Sequence, residues 1–445
     1  MLSIAFSIAG REVPSAWRGG LNITYRFGPG FEGSNITVRL KTHTENILKN
    51  ITNVIGTIHG NEEPDRIVLI GAHHDAWTNG AVDAISATAI LMELSRAVGV
   101  MLKSGWKPRR TIKFCSWAAE EYALIGSTEW VEDNAKLLSG RAVAYLNMDL
   151  AVSGNYTLRT FSSPLLNKLI IEATKSVADP SSSNTNRSIY DVMIELDPPR
   201  PGVMEPNLLT LATYSDYASF YQYLGIPCID WGYYFGDKKV NRVMLYPVYH
   251  TSAETFEWLT KFIDPEFKIH LAVAKLGGIF LMRLADTPLL PMNSVSNYTS
   301  ILVKSLNLLQ KIFPKELQSW NISLKYLKKT IANFGVAAKQ FEDCLTKYQD
   351  EVNPIKLRIL NDQIRQIEKS FLYPNGLPGR NEFKHLIFAP SIHNTYTTAP
   401  YPGVTDALFG CKMKLNSTDC KQATFQISLI INTIEQATTI LKPIL

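Results

Sequence analysis

The chain has 445 residues, 46% of them hydrophobic, which is enough for a large core and for more than one domain. Its formal charge of +5 is small for this length and no long basic stripe occurs, so a dedicated nucleic-acid binder is disfavoured. The five cysteines form no CxxC pair, which argues against a thiolate zinc site. Cys115 sits in an apolar run as a small hydrophobe, while Cys411 and Cys420 flank a polar loop and could form a local disulfide.

Taken in chain order, residues 1–47 carry short β-like runs with turns such as GPGFEG (Gly28–Gly33). Residues 48–287 alternate apolar strands with amphipathic helices. RIVLIGAHHD (Arg66–Asp75) predicts a strand and Ile85–Leu102 a helix. The basic run Lys107–Arg110 reads as a solvated turn. TIKFCSWAAE (Thr111–Glu120) predicts a strand, Glu121–Leu138 a helix and RAVAYLNMDL (Arg141–Leu150) a strand. Further on, YASFYQYLG (Tyr217–Gly225) predicts a helix and IPCIDWGY (Ile226–Tyr233) a strand. The alternation predicts an α/β fold: a mainly parallel sheet sandwiched by helices. Residues 288–445 carry long helical patterns over Ser296–Ile312, Leu324–Tyr348, Ile355–Phe371 and Gln422–Leu441, interrupted by the loop Pro374–Arg380, and predict a helical bundle.

N-x-[ST] sequons stand at Asn22, Asn35, Asn50, Asn155, Asn186, Asn297, Asn321 and Asn416 and favour an extracellular or lumenal chain. No apolar run reads as long enough to span a membrane, and the opening MLSIAFSIAG is a poor signal peptide, short and without a basic start.

Ligands gather at the carboxyl ends of strands in open α/β sheets. His73, His74 and Asp75 end one predicted strand, Glu120 and Glu121 the next, and Asp149 the third. Asp83 precedes a helix, and His250 follows YPVY in a later loop. Carboxylates crowded in this way repel unless a cation neutralises them. Zinc takes imidazole and carboxylate ligands, and two zinc ions sharing a carboxylate can activate a water. Of an adjacent Glu-Glu pair, one can be a ligand and the other a general base. His43, His59, His270, His385 and His393 read as structural or surface residues. No GxSxG elbow, P-loop or Rossmann glycine pattern competes.

HHDAWTNGAVD, SWAAEEYALIGSTEW, YLNMD and YPVYHTSAET, in this order, resemble the zinc peptidases of the glutamate carboxypeptidase II group, which also holds the N-acetylated-α-linked-acidic-dipeptidase-like proteins and the transferrin receptor. The resemblance runs from about Trp17 to the C-terminus. It implies that His73 and Asp149 hold one zinc, Glu121 and His250 the other, and that Asp83 bridges them. Glu120 is then the general base and acid, Asp75 orients His73, and His74 is not a ligand. Tyr249, Ser215, Asp230 and Tyr396 fall at substrate-binding positions. Glu129 and Glu132 match positions that help bind a structural calcium, or else form a solvated helix face. The helical region implies a homodimer, and the substrate is a peptide. The expected layout is a remnant of a protease-associated apical domain at 1–47, a peptidase domain at 48–287 and a dimerisation domain at 288–445, with the earlier part of the full-length architecture missing.

The chain departs from the glutamate-selective members where they carry an arginine patch and a carboxylate-gripping lysine. Here those positions hold Asp230, Gly232 and Thr395. Losing paired, charge-assisted grips argues against selection for acidic peptides. An aspartate there could accept a substrate α-amine, which implies relaxed or amino-terminal specificity, unless Asp230 points elsewhere. Two other readings stand beside the enzyme: a binding protein without catalysis, as in the transferrin receptor branch, and an inactive truncated isoform.

Overall fold

Six strands form the central sheet: β1 (Val54–Ile58), β2 (Glu63–His73), β3 (Arg110–Trp117), β4 (Ala142–Asn147), β5 (Thr157–Ser162) and β6 (Cys228–Tyr234). This computed structural model describes residues 10–442 and 444, apart from 29, 32–34, 36, 38, 182–185, 200–204, 237–244 and 415–416. The strand order is β1-β3-β2-β4-β6-β5. The inner strands β3, β2, β4 and β6 run parallel, and β1 and β5 close the edges antiparallel. The sheet is mainly parallel, as the alternation predicts. Its inner strands are buried on both faces, which is why Ile67, Val68, Leu69 and Ile70 form one unbroken apolar run.

The helices that cover the sheet are α1 (Ile85–Lys103), α2 (Ile125–Asp133), α3 (Ala135–Arg141), α4 (Asn167–Ser176), α5 (Ile189–Leu196) and α6 (Lys268–Asp286). Helix α1 packs on α6 and on β2, burying Ile90, Leu91, Leu94 and Val98. Gly277 of α6 permits this approach, since a Cβ there would stand 2.8 Å from the Trp231 ring and 3.1 Å from Leu94. One reading is corrected here. Ile85–Lys103 is long and apolar enough to cross a membrane, with 19 residues at a mean hydropathy of 1.5. Its residues Ile90, Leu91, Leu94 and Val98 are buried, while Ile85, Met92 and Val100 are exposed.

A second expectation also changes. Glu121–Leu138 is not one helix but a turn followed by α2 and α3, because Ala123 and Leu124 take left-handed backbone angles with φ of 75° and 60°. Residues 217–225 are helical as expected, with a π-helical stretch at Ser219–Tyr223.

After the sheet come α7 (Ser296–Ile312), α8 (Lys325–Lys347), α9 (Pro354–Lys369), the hairpin β7 (Pro390–Ser391) and β8 (Asn394–Thr398), α10 (Pro402–Lys414) and α11 (Ser417–Ile440). Cys411 and Cys420 are disulfide-bonded, leaving Cys115, Cys228 and Cys344 free. Ile51–Leu445 form one compact unit and Met1–Asn50 another. Within the larger unit, α9 ties the helices to the sheet. Arg365 donates to the carbonyls of Ala142 and Gly140, and Arg66 pairs with Asp362 at 2.7 Å. Deeper in, the fully buried Glu368 meets His385 at 2.9 Å and accepts from Tyr298 and Ser163. In the smaller unit Val13 N–H donates to the Tyr25 carbonyl and Trp17 packs edge-on against Phe27.

Asn22, Asn35, Asn50, Asn155, Asn186 and Asn321 are exposed and Asn297 is half-buried, while Asn416 lies outside the described residues.

Leu69 lies at the centre of the sheet with no exposure. Leu69→Ala is expected to lower unfolding stability by about 2–5 kcal/mol in denaturant titration; a loss under about 1 kcal/mol would contradict the placement of this core.

Candidate metal centre

Strand β2 is followed by a crossover to β3 on one side, whereas the chain leaving β4 goes on to β5 and β6 on the other. A crevice opens between strands whose connections diverge in this way. His73 closes β2 and Asp149 follows β4, so both stand at that crevice. Strand alternation sends His74 the other way, where its Nδ1 lies 2.8 Å from Ser116 Oγ. Gly71 has to be small, since a Cβ there would stand 2.7 Å from the Tyr145 hydroxyl and 2.9 Å from the Cys115 carbonyl.

Asp83 is the centre of the arrangement. One of its oxygens, Oδ1, lies 3.1 Å from His73 Nε2, and the other, Oδ2, lies 3.0 Å from His250 Nε2. On the first side, His73 Nε2 is 3.5 Å from Asp149 Oδ1 and 3.9 Å from Glu120 Oε2. On the second, His250 Nε2 is 3.3 Å from Glu121 Oε2. Two groups result, His73 with Glu120 and Asp149, and Asp83 with Glu121 and His250, and in each the candidate ligand atoms converge within 4.8 Å.

The electrostatics follow from crowding. Burial, with Asp149 alongside, pushes the Glu120 carboxyl up to about 10, and burial beside Asp83 pushes Glu121 up to about 7. Burial alone would raise Asp83 as well, but the His250 and His73 imidazoles beside it bring it below the usual range. His73 is raised despite its burial, because Asp149, Asp75 and Asp83 stabilise its charged form.

The residues fit divalent zinc on two observations. A tetrahedral zinc with bonds near 2.0–2.1 Å separates its ligand atoms by roughly 3.3 Å. The contacts of 3.1, 3.5, 3.0 and 3.3 Å around Asp83 have that size. Moreover, Asp83 Oδ1 is buried and accepts no hydrogen bond, although His73 Nε2 stands beside it. Such close contact without hydrogen-bond alignment is the relation of two ligands to a shared cation.

Glu254, inside YPVYHTSAET, braces this cluster in a way the motif does not reveal. Glu254 is buried, and its Oε1 accepts from the N–H groups of Val82 and Asp83 at 3.1 and 2.8 Å, while its Oε2 accepts from His250 N–H at 3.3 Å. It thereby joins Asp83 to His250. Asp216, buried behind the site, accepts from Ser127 Oγ at 2.5 Å, and burial pushes its carboxyl up to about 7.

Asp75 meets the free ring nitrogen of His73, with its main-chain carbonyl 3.0 Å from Nδ1 and its carboxylate at 3.6 Å. That carboxylate also accepts from the N–H groups of Glu120 and Glu121 at 3.0 and 3.2 Å. Asp230 is not open to a substrate amine. It is 3% exposed, its Oδ1 accepts from Asn147 Nδ2 at 3.0 Å, and burial pushes it up to about 8. Ser215 is also buried and accepts from the same Asn147 amide. Tyr249 stacks on His250 with ring centroids 3.7 Å apart, and Tyr396 is exposed on β8. Glu129 and Glu132 are exposed one turn apart on α2, and among the described residues neither joins a group suited to a metal.

Glu254→Gln would turn an amide donor toward one of the N–H groups it now accepts from. It is expected to weaken zinc binding by roughly 10–100-fold in a competitive chelator titration; unchanged affinity would refute its bracing role.

Comparison with known proteins gives the same outline. Residues 53–262 match peptidase family M28, and residues 322–442 match the transferrin receptor-like dimerisation domain. The chain is 39% identical to aminopeptidase NAALADL1 of Mus musculus over 98% of its own length and 59% of the relative's. It is 40% identical to the probable glutamate carboxypeptidase LAMP1 of Arabidopsis thaliana over 94% of its own length and 57% of the relative's. It therefore spans somewhat under three fifths of the length of these curated relatives. Among solved structures, a zinc aminopeptidase from Bacillus subtilis aligns with a TM-score of 0.38 at 20% identity, covering 53% of this chain and 50% of that one. The chain thus joins a region that matches the M28 peptidases to one that matches the transferrin receptor-like dimerisation domain, and over most of its length it is similar to an aminopeptidase and to a probable glutamate carboxypeptidase.

Proposed function

We propose that the chain is a co-catalytic di-zinc exopeptidase acting on short peptides. The observation that carries this reading is Asp83, which turns one oxygen to His73 and the other to His250. In this reading His73, Asp149 and Asp83 hold one ion, and Asp83, Glu121 and His250 hold the second. Zinc bound there supplies Lewis acidity, acidifying water and polarising a peptide carbonyl.

Glu120 performs the proton transfers. It sits at the same crevice, with its Oε2 3.9 Å from His73 Nε2, and in this reading it is a ligand of neither ion, so its carboxylate can take a proton from water. The same carboxyl then protonates the departing amine. Asp75 fixes the backbone of both glutamates, so that Glu121 is held as a ligand and Glu120 remains free to move the proton. The names of the relatives, an aminopeptidase and a probable glutamate carboxypeptidase, support peptide hydrolysis and leave both termini open. With Asp230, Gly232 and Thr395 where an arginine patch and a lysine would grip acidic groups, acidic substrates are not favoured.

Glu120→Gln is expected to lower turnover by about 10²–10⁴-fold while zinc content stays unchanged. The assay is mass spectrometry of peptides with free or blocked ends, with and without chelator, and the end that shortens identifies the enzyme as amino- or carboxypeptidase. Full turnover by Glu120→Gln, or cleavage insensitive to chelator, would sink the reading. We further propose a homodimer through the region matched at residues 322–442. Sedimentation is expected to give twice the chain mass, and a monomer at all concentrations would count against it.

A further inference from the structure

We propose that Asn53 is a positioning residue for Glu120. Its carboxamide clamps both feet of the loop that carries the base and so sets where that carboxylate stands. The inference rests on the peptidase reading for its catalytic consequence, but not for its geometry.

Asn53 lies just before the edge strand β1, away from the candidate metal ligands. Its Nδ2 donates to the Gly126 carbonyl at 2.8 Å, and its Oδ1 accepts from Ala118 N–H at 3.0 Å. The feet also meet each other, with Gly126 N–H donating to the Ala118 carbonyl at 3.1 Å. Between these feet the chain bulges out to present Glu120 and Glu121. The bulge is built on three non-glycine residues in the left-handed region, Ala119, Ala123 and Leu124, with φ of 56°, 75° and 60°. Side chains with a Cβ resist that conformation, so the surroundings must impose it. On the crevice side the Asp75 carboxylate holds the N–H groups of Glu120 and Glu121. From the edge of the sheet, Asn53 holds the base of the loop.

The residue types at the clamp are restrictive. The amide donates on one side and accepts on the other, whereas aspartate would set an oxygen against the Gly126 carbonyl and alanine would leave both groups unpaired. Residue 126 must be glycine, because a Cβ there would stand 2.1 Å from the Ala118 carbonyl and 2.5 Å from Asn53 Oδ1. Asn53 touches neither Asp83 nor either histidine, and its effect must pass through the loop.

The experiment compares wild type with Asn53→Ala and Asn53→Asp in kcat, KM, zinc content and amide hydrogen exchange across residues 118–126. Both variants are expected to lower kcat by about tenfold or more, as misplaced catalytic groups do. KM is expected to stay within about threefold, since substrate binding is not what is lost. Zinc content is expected to hold, and exchange in 118–126 to quicken by about tenfold or more while β2 and β4 stay protected. Unchanged kcat in folded variants that merely melt earlier would overturn the proposal, leaving Asn53 a structural residue. If the wild type cleaves no peptide, the peptidase reading fails, and exchange alone decides the clamp: unaltered exchange in 118–126 overturns it. If neither variant is soluble, the wild-type Ala118 amide decides. Exchange as slow as that of β3 supports the clamp, and exchange as fast as an open loop overturns it.

Discussion

Carboxylates and imidazoles gathered in a crevice at the end of a buried sheet are costly unless a cation stabilises them. Asp83, Glu120, Glu121 and Asp149 stand within a few ångströms of His73 and His250. Hydrogen bonding alone does not satisfy the group, since Asp83 Oδ1 is left without a partner. In the proposed reading a pair of divalent cations would resolve the repulsion and the orphaned oxygen together, and would fit the spacing, because the contacts have the size of ligand-to-ligand separations in a tetrahedral site.

Much of the surrounding structure holds these groups in register. The parallel strands β2 and β4 bring His73 and Asp149 to one crevice. Glu254 ties the backbone of Asp83 to that of His250, and Asp75 ties down both glutamates from the crevice side. Asn53 reaches the same loop from the sheet edge. Each brace acts on main-chain groups, which fixes ligand geometry more firmly than side-chain packing alone and keeps the reactive atoms free. Helix α9 then anchors the later helices to β2 and to the start of β4 through Arg66, Asp362 and Arg365.

The parts of this picture written as periodicity were legible in the sequence. Strands β2, β3 and β4 are near-continuous apolar runs because both faces are covered, and α1, α7, α8 and α9 repeat their apolar positions at helical spacing. The six residues assigned to metal and proton chemistry meet in space because strand ends share one edge. Other features carry no local signature. Strand β5, Thr157–Ser162, is as polar as a loop, and β1 is a short edge strand. The break before α2 depends on left-handed residues that only tertiary bracing imposes. Asn53 acts through hydrogen bonds to distant backbone, which no motif records, and Glu254 stands inside YPVYHTSAET while its partner Asp83 lies far away in the chain. Asp230 turns away from the crevice because its register partner on β4 is Asn147, whose amide takes the carboxylate inward. That pairing cannot be read from IPCIDWGY alone.

The central claim is that Asp83 joins two metal sites. The most direct measurement is anomalous diffraction at the zinc edge from crystals grown with zinc. The account predicts two peaks, one on each side of the Asp83 carboxylate, the first beside His73 and Asp149 and the second beside Glu121 and His250. A single peak, or none at this crevice, would contradict it.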